Sequence, residues 1–89
     1  MINREKARDI AERYVMENIQ PAIRIELAIS ELSEYSTSWV AVYNTKRFLE
    51  TGSNRDALAG NGPLIINRRT GAVRKGRSAL PVEDQLDVE

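Results

Sequence analysis

The sequence of 89 residues contains no cysteine and no histidine. Without cysteine the chain can form no disulfide and offers no thiolate as a ligand or nucleophile. Without histidine it lacks the commonest general base, the Ser-His catalytic pair and nearly every zinc site. An enzyme would have to use carboxylates, lysine or tyrosine, and no spacing of these residues points to such a site. We therefore predict a non-enzymatic protein with no catalytic residue, metal or cofactor.

Neither sign of charge is in excess, because 13 basic and 13 acidic residues cancel. A general nucleic-acid binder normally has a strong basic excess, so we expect no nucleic-acid partner. No apolar run approaches the roughly 18 residues of a membrane span, and the N-terminus has no apolar run typical of a signal peptide. We expect no membrane partner and, since the lack of cysteine suits a reducing compartment, a cytoplasmic location.

The first half of the chain predicts a helix followed by a strand. The chain is short enough for a single domain, residues 1–89, with one modest core. Residues 3–18 carry an apolar stripe at helical spacing, and Asn3 is a plausible N-cap. Gln20 and Pro21 predict the end of that helix. Residues 22–29 alternate between apolar and other side chains, which predicts a half-buried strand. The polar stretch 30–38 is then expected to be a hairpin connection.

The second half predicts three more strands. Residues 39–44 are apolar on both sides, which is typical of a central strand. Residues 63–67 and 72–75 predict a hairpin around a turn that Gly71 closes. Residues 45–59 predict a connection with helical turns, the first ended by Gly52. Its apolar side chains, Phe48, Leu49 and Leu58, are expected to pack on the second side of the sheet.

The C-terminal residues complete the predicted fold. Residues 80–89 predict a short helix, because Pro81 suits a first helical position and acidic residues follow it. The fold class is therefore α+β, with an N-terminal helix packed on an antiparallel sheet of about four strands and a short C-terminal helix. The third or fourth strand would be an exposed edge, and an exposed edge invites a homodimer.

Gly60-Asn61-Gly62 raises the question of a phosphate-binding loop. A dinucleotide fingerprint needs a third glycine where this chain has Ile65, and a P-loop needs a Gly-Lys-Ser/Thr that is absent. Both motifs also leave a strand and open a helix, whereas here the glycines precede a predicted strand. We interpret the two glycines as a bend into the sheet.

Several short motifs occur together after residue 38. They are Trp39, FLETG at 48–52, LAGNGP at 58–63 and IINRRTG at 65–71. In combination these motifs resemble the immunity protein 35 family of bacterial polymorphic toxin systems, over roughly residues 38 to 86. The resemblance implies a small α+β protein, encoded beside a secreted toxin, that binds the toxin inside the producing cell and its kin. A cognate toxin is thus the expected partner.

Two charged clusters are candidate contact surfaces. The first, with Glu31, Glu34, Tyr35 and Trp39, is predicted to bind the partner, since an acidic surface would steer toward a basic toxin cleft and aromatic residues add contact area. Its simpler interpretation is a solvated hairpin tip beside a core tryptophan. The second is a basic run that is a charged edge resisting aggregation, or a surface for an acidic partner or nucleic acid, or a run neutralised within the chain by the acidic tail of Glu83, Asp84, Asp87 and Glu89. The residues of the basic run are Arg68, Arg69, Arg74, Lys75 and Arg77.

The functional hypothesis is an immunity protein that neutralises its toxin by steric occlusion. The alternative is a stand-alone, chaperone-like module that shields exposed hydrophobic segments of other proteins. Gene context separates them, because a toxin gene immediately upstream favours the first and an isolated gene favours the second. A small enzyme is a third class, and it would require a concave site with convergent polar groups.

Overall fold

The computed structural model describes residues 1–86, which form a helical N-terminal segment and an antiparallel sheet. The α-helices are α1 (Arg4–Tyr14), α2 (Gln20–Ile23) and α3 (Lys46–Thr51). The strands are β1 (Leu27–Glu34), β2 (Ser38–Thr45), β3 (Leu64–Asn67) and β4 (Val73–Lys75). The four strands are hydrogen-bonded in the order β1-β2-β3-β4. The predicted α+β class, with a helix packed on a four-stranded antiparallel sheet, is confirmed.

Helix α1 forms where the apolar stripe predicts it and packs on one face of the sheet. The side-chain oxygen of Asn3 accepts the backbone N–H of Lys6 at 2.8 Å, so the predicted N-cap is present. Ala7, Ala11 and Val15 recur at helical spacing and are buried against the sheet. The small alanine side chains let the helix backbone lie close to the strands, so the core between them is closely packed.

The helical path passes through Pro21, so the prediction that the helix ends at Gln20 and Pro21 is wrong. Residues Val15–Ile19 form a widened π turn, in which the backbone N–H of Gln20 donates to the carbonyl of Val15. Pro21 then lies in the first turn of α2, where its missing N–H costs little. The path ends at Arg24, whose φ of 58° is left-handed.

Strand β1 is shifted along the chain relative to the prediction. It covers Leu27–Glu34 rather than residues 22–29, and the connection is only the turn of residues 35–37 instead of the whole stretch 30–38. A β-bulge at Ser30 interrupts the alternation of side chains, so the pattern before it does not continue through the strand. The strand tolerates Glu31 because Glu31 is opposite Val42 on the partly uncovered face of the sheet, where its side chain stays in water.

Strand β2 is central, as its apolar character predicts, because it pairs with both β1 and β3. One face of the sheet, under α1, carries the main core; its strand residues include Trp39, Ala41, Tyr43, Leu64 and Ile66. On the opposite face Val40 and Ile65 are buried, whereas Val42 is 38% exposed. The second face is therefore covered only in part.

The connection between β2 and β3 contains the predicted helical turns. The hydroxyl of Thr45 accepts the backbone N–H of Phe48 at the start of α3, and Gly52 closes the helix with a φ of 71°. The packing prediction is wrong for Leu58, which packs on the core under α1. Leu49 is 40% exposed, and Phe48 is half-buried.

The glycines of Gly60-Asn61-Gly62 bend the chain into β3, as interpreted from the sequence. Gly60 has a φ of 76°, which favours glycine. A Cβ on Gly62 would lie 1.9 Å from the carbonyl oxygen of Gly76, so only glycine fits that close approach of two backbones. This contact joins the start of β3 to the end of β4.

The C-terminal segment contains the predicted short helix as a single 3₁₀ turn, Val82–Gln85, within the described residues; residues 87–89 of the predicted range 80–89 lie outside them. The side-chain amide of Gln85 explains the turn. It accepts the N–H of Arg77 and donates to the carbonyls of Arg77 and Leu80, which folds the chain back on itself. Gln85 also lies over Gly76, at the end of β4.

Candidate partner-binding surface

The centre of the predicted partner-binding cluster is Trp39, which lies under the N-terminal end of α1. Its ring is only 3% exposed, and its Nε1 donates to the carbonyl of Ile2 at 2.9 Å. The guanidinium carbons of Arg4 and Arg68 lie 5.1 Å and 5.4 Å from the ring centroid, within the range of cation–π attraction. Trp39 is therefore a buried anchor that holds two arginines.

Arg68 connects this anchor to the β1–β2 turn. Its Nη2 lies 2.8 Å from a carboxylate oxygen of Glu34, and its Nη1 donates to the carbonyl of Tyr35 at 2.9 Å. Its backbone N–H donates to the carbonyl of Thr37. The Arg68 side chain is 19% exposed, so water screens the ion pair with Glu34 less than a pair on the open surface. The turn is held by three contacts from one residue.

The structure brings Glu34, Tyr35 and Trp39 together but separates Glu31 from them. Glu34 is opposite Trp39 in the β1–β2 register, on the face under α1, whereas Glu31 is opposite Val42. Because successive strand residues alternate between faces, Glu31 lies on the second face of the sheet. Arg68 offsets the charge of Glu34, so this end of the sheet is less acidic than the sequence suggests.

Side chains of the helical segment bond one outward backbone group in each half of β1. At the two ends of the ladder, the backbone N–H of Lys46 donates to the carbonyl of Glu26, and that of Tyr35 donates to the carbonyl of Ser38. Because inward and outward backbone groups alternate along an antiparallel strand, the N–H and C=O groups of Leu27 and Leu32 point away from β2. The outward N–H of Leu27 donates to Oε1 of Gln20 at 2.9 Å. The outward carbonyl of Leu32 accepts from Arg4 at 2.8 Å.

The outer edge of β4 has no such cover. Hydrogen bonds from Asn67 to Ala72 and from Gly76 to Pro63 set the ladder between β3 and β4. By alternation, the N–H and C=O groups of Val73 and Lys75 point away from β3. Within residues 1–86, no hydrogen bond reaches these four outward groups.

Basic side chains surround the β4 edge. Arg69, Lys75 and Arg77 are exposed and form no ion pair with any residue that the structure describes. The Arg74 side chain is engaged, since its Nη2 donates to the carbonyl of Gln85. Beside the edge runs a shallow groove between α1 and β4. Its lining combines apolar and aromatic side chains with charged side chains of both signs, and consists of Lys6, Asp9, Ile10, Arg13, Tyr14, Glu17, Asn18 and Val73.

The chemistry available to the described residues is limited. Burial raises the pKa of Tyr43 above its usual 10.0, and the nearby Tyr14 raises it further. Residues 1–86 contain no group of three or more carboxylate side chains placed to hold a metal ion. In the same part of the chain, no helix combines the length and the apolar character needed to cross a bilayer.

The sequence reasoning did not single out Arg4 and Gln20, and it took Arg68 for part of an exposed basic run. Arg4 bonds a residue 28 positions away and Arg68 one 33 positions away. No local spacing signals such contacts. The one available indication was that a tryptophan beginning a strand needs a partner for its indole N–H when it is buried.

Comparison with known proteins identifies the family. The family model described as immunity protein 35 matches residues 5–87, so the chain belongs to the immunity protein 35 family and the resemblance noted from the sequence is confirmed. A relative from Escherichia coli (strain K12), described as uncharacterized protein YrhB, is 32% identical over 62 residues, which are 70% of this chain and 66% of the relative. No solved structure matches the chain significantly.

Proposed function

We propose that this member of the immunity protein 35 family binds a cognate bacterial toxin in the cytoplasm of the producing cell and neutralises it by occlusion. Family membership is the observation that carries the proposal. Occlusion requires a stable adhesive surface and no catalytic group of its own. The binding energy must then come from complementary shape and charge at that surface.

The proposed contact surface is the β1–β2 hairpin end, with Glu31, Glu34, Tyr35 and Trp39. The contacts of Arg68 support this choice, since a turn already held in place loses little entropy on binding. Tyr35 would contact the toxin directly, whereas the buried Trp39 would support the turn from beneath. Glu31 and Glu34 lie on opposite faces, so a toxin that touches both must wrap around the edge of β1.

Two measurements on single variants test this surface. Co-expression with the neighbouring toxin gene measures protection of the cell, and binding kinetics of the purified pair measure the association rate. Glu34→Lys and Glu31→Lys should each slow association, with an effect that shrinks at high salt, because both remove an attraction to a basic cleft. Glu34→Gln removes the negative charge but keeps a side-chain oxygen that can accept from Arg68, so it separates the charge effect from loss of the Arg68 hydrogen bond. Glu50→Lys on α3 is a matched control, since Glu50 is also exposed and lies away from the turn.

The outcomes separate the surface from the function. If the double variant Glu31→Lys/Glu34→Lys still protects cells and binds at the same rate, the hairpin end is not the contact. If the unmodified chain neither binds the neighbouring gene product nor protects against it, the immunity function is excluded. A complex that leaves toxin activity intact would contradict occlusion alone.

Exposed apolar side chains favour a second candidate, the chaperone-like module. Met16, Ile25 and Leu80 are 63%, 47% and 45% exposed, and such residues could hold unfolded segments of other proteins. Suppression of the aggregation of a chemically unfolded test protein by the wild-type chain, lost in Met16→Glu, would support it. A homodimer through an edge strand stays a prediction, and sedimentation velocity over a range of concentrations tests it.

A further inference from the structure

We infer that the outer edge of β4 is a second docking surface, where an acidic extended segment of a partner polypeptide adds a fifth strand to the sheet. This inference goes beyond toxin neutralisation and does not depend on it. It rests on the outward backbone groups of Val73 and Lys75, on the basic side chains around them, and on the contrast with β1.

The outward backbone groups of β4 favour a partner segment in extended conformation. The outward N–H and C=O groups of Val73 and Lys75 have no partner within the described residues. They are spaced to pair with every second residue of another strand. An edge strand offered in this way is the acceptor in β-strand addition, in which main-chain hydrogen bonds supply affinity and side chains supply specificity.

The side chains specify an acidic occupant. Arg69, Lys75 and Arg77 are exposed and lack ion pairs among residues 1–86. A strand laid beside β4 would lie among these cations, so Asp or Glu side chains on it gain attraction. A second copy of this chain would instead bring two sets of the same cations together, which is unfavourable. Charge therefore selects an acidic partner over self-pairing.

The contrast with β1 places strand addition at β4 instead of at the longer edge. Gln20 and Arg4 already bond the outward groups of Leu27 and Leu32. A strand arriving at β1 would have to displace both side chains, whereas at β4 no residue among 1–86 bonds the outward groups. The groove beside the edge offers the incoming strand the apolar side chains of Ile10 and Val73, between charged side chains of both signs on α1 and the π turn.

Titration of the isotope-labelled protein with a designed peptide tests the inference without any toxin. The probe is a cyclic hairpin peptide whose exposed strand alternates Glu and Val, and the matched probe alternates Lys and Val. With the acidic peptide we expect amide shifts and slowed hydrogen exchange at Val73 and Lys75. With the basic peptide we expect binding at least about tenfold weaker, since its charges repel those of the edge.

Two substitutions of Lys75 separate backbone from charge. Lys75→Pro removes the outward N–H while sparing the ladder to β3, and it should weaken binding of the acidic peptide about tenfold. Lys75→Ala keeps the N–H and should weaken it only about threefold, with the difference fading at high salt. Thermal melts of both variants check that the fold is intact; should Lys75→Pro unfold, Arg69→Glu with Arg77→Glu tests the charge requirement alone.

Three results would overturn the inference. One is no perturbation of Val73 and Lys75 by millimolar acidic peptide. Another is equal binding of the acidic and basic peptides. The third is protection of the β4 amides that grows with protein concentration alone, which would make a second copy the occupant. None of these results bears on protection against a toxin, so the immunity function is judged separately.

Discussion

The two edges of the sheet differ in what meets their outward backbone groups. On β1, Gln20 and Arg4 bond the outward N–H of Leu27 and the outward carbonyl of Leu32. On β4, no described side chain or backbone group bonds the outward groups of Val73 and Lys75. The helical segment thus bonds two outward groups of the longer edge, whereas the shorter edge has none bonded within residues 1–86 and is bordered by basic side chains.

This difference shows two ways to manage an exposed edge. Bonding the outward groups removes the template for another strand, and it depends on the helix staying docked. Basic side chains around a short edge repel the same side chains on a second copy, but they attract a strand that carries acidic side chains. The first protection should fail when the helix or its two side chains are changed, and the second when the local charges are changed.

The largest expected loss of stability comes from a substitution that detaches α1 from the sheet, because the bonds on the β1 edge depend on that docking. Ala11 is fully buried against the sheet, so Ala11→Asp places an unpaired carboxylate in the core. We expect a loss of about 3–5 kcal/mol in the free energy of unfolding, enough to unfold much of a domain this small. Urea unfolding followed by tryptophan fluorescence measures it.

The control for Ala11→Asp is Arg8→Asp, which puts the same side chain on the exposed side of α1. Arg8→Asp should unfold near the wild-type midpoint. A wild-type midpoint for Ala11→Asp itself would show that the helix does not dock as described, and the closure of β1 would lose its basis.

Gly62→Ala should loosen the β4 side of the sheet. Its new Cβ would lie 1.9 Å from the Gly76 carbonyl oxygen, so the backbone joining β3 and β4 must move. We expect a cost of about 1–3 kcal/mol, as for overpacked sites. Gly60→Ala is the matched comparison: its Cβ meets open space and only its positive φ is strained, at about 1 kcal/mol.

Hydrogen exchange locates the change in Gly62→Ala. Faster exchange at the amides of β3 and β4, with those of β1 unchanged, is the expected pattern. Equal stability of the two glycine variants would mean that the close approach of Gly62 to Gly76 contributes nothing.

Removing both side chains that close β1 should convert it into an open edge. Arg4→Ala with Gln20→Ala leaves the outward groups of Leu27 and Leu32 unbonded. We expect a loss of about 1–2 kcal/mol in unfolding free energy, from two lost hydrogen bonds. The variant should also self-associate as its concentration rises, because β1 lacks the basic residues that surround β4.

Sedimentation velocity measures that self-association. Arg8→Ala with Asn18→Ala is a suitable control, since both side chains lie on the same helical segment and are exposed. A strictly monomeric double variant would contradict the idea that the two bonds protect the edge.

The smallest expected effect is a loss of stability at alkaline pH, which arises from Tyr43 in the core between the two edges. Burial raises the pKa of Tyr43 above 10.0, so the unfolded chain releases this proton at a lower pH than the folded chain does. The stability that Tyr43 contributes is therefore fully present below 10.0 and declines as the pH rises through its folded pKa. Tyr43→Phe should flatten this decline in urea titrations, and Tyr14→Phe should reduce it less. Identical profiles for all three chains would be inconsistent with that burial.

The sequence predicted elements whose signals are local. The stripe of α1, its Asn3 cap and the Gly52 stop all depend on neighbours within a few positions, and all are present. The start of β1 was missed, because the π turn and the bulge at Ser30 shift the chain without a clear residue pattern. For the candidate surface, the sequence placed Tyr35 and Trp39 near each other but could not show that Glu31 lies on the opposite face.

By itself, the sequence determined the fold class and the family, because periodicity, turn residues and the motifs after residue 38 are properties of local order along the chain. Only the tertiary structure determined which edge of the sheet has outward backbone groups bonded by other parts of the chain. The bonds from Arg4 to Leu32 and from Arg68 to Tyr35 join residues 28 and 33 positions apart. The Arg4 bond exists only once the helix has docked on the sheet, and the Arg68 bond only once β2 and β3 have paired, because each event brings distant groups within hydrogen-bonding distance.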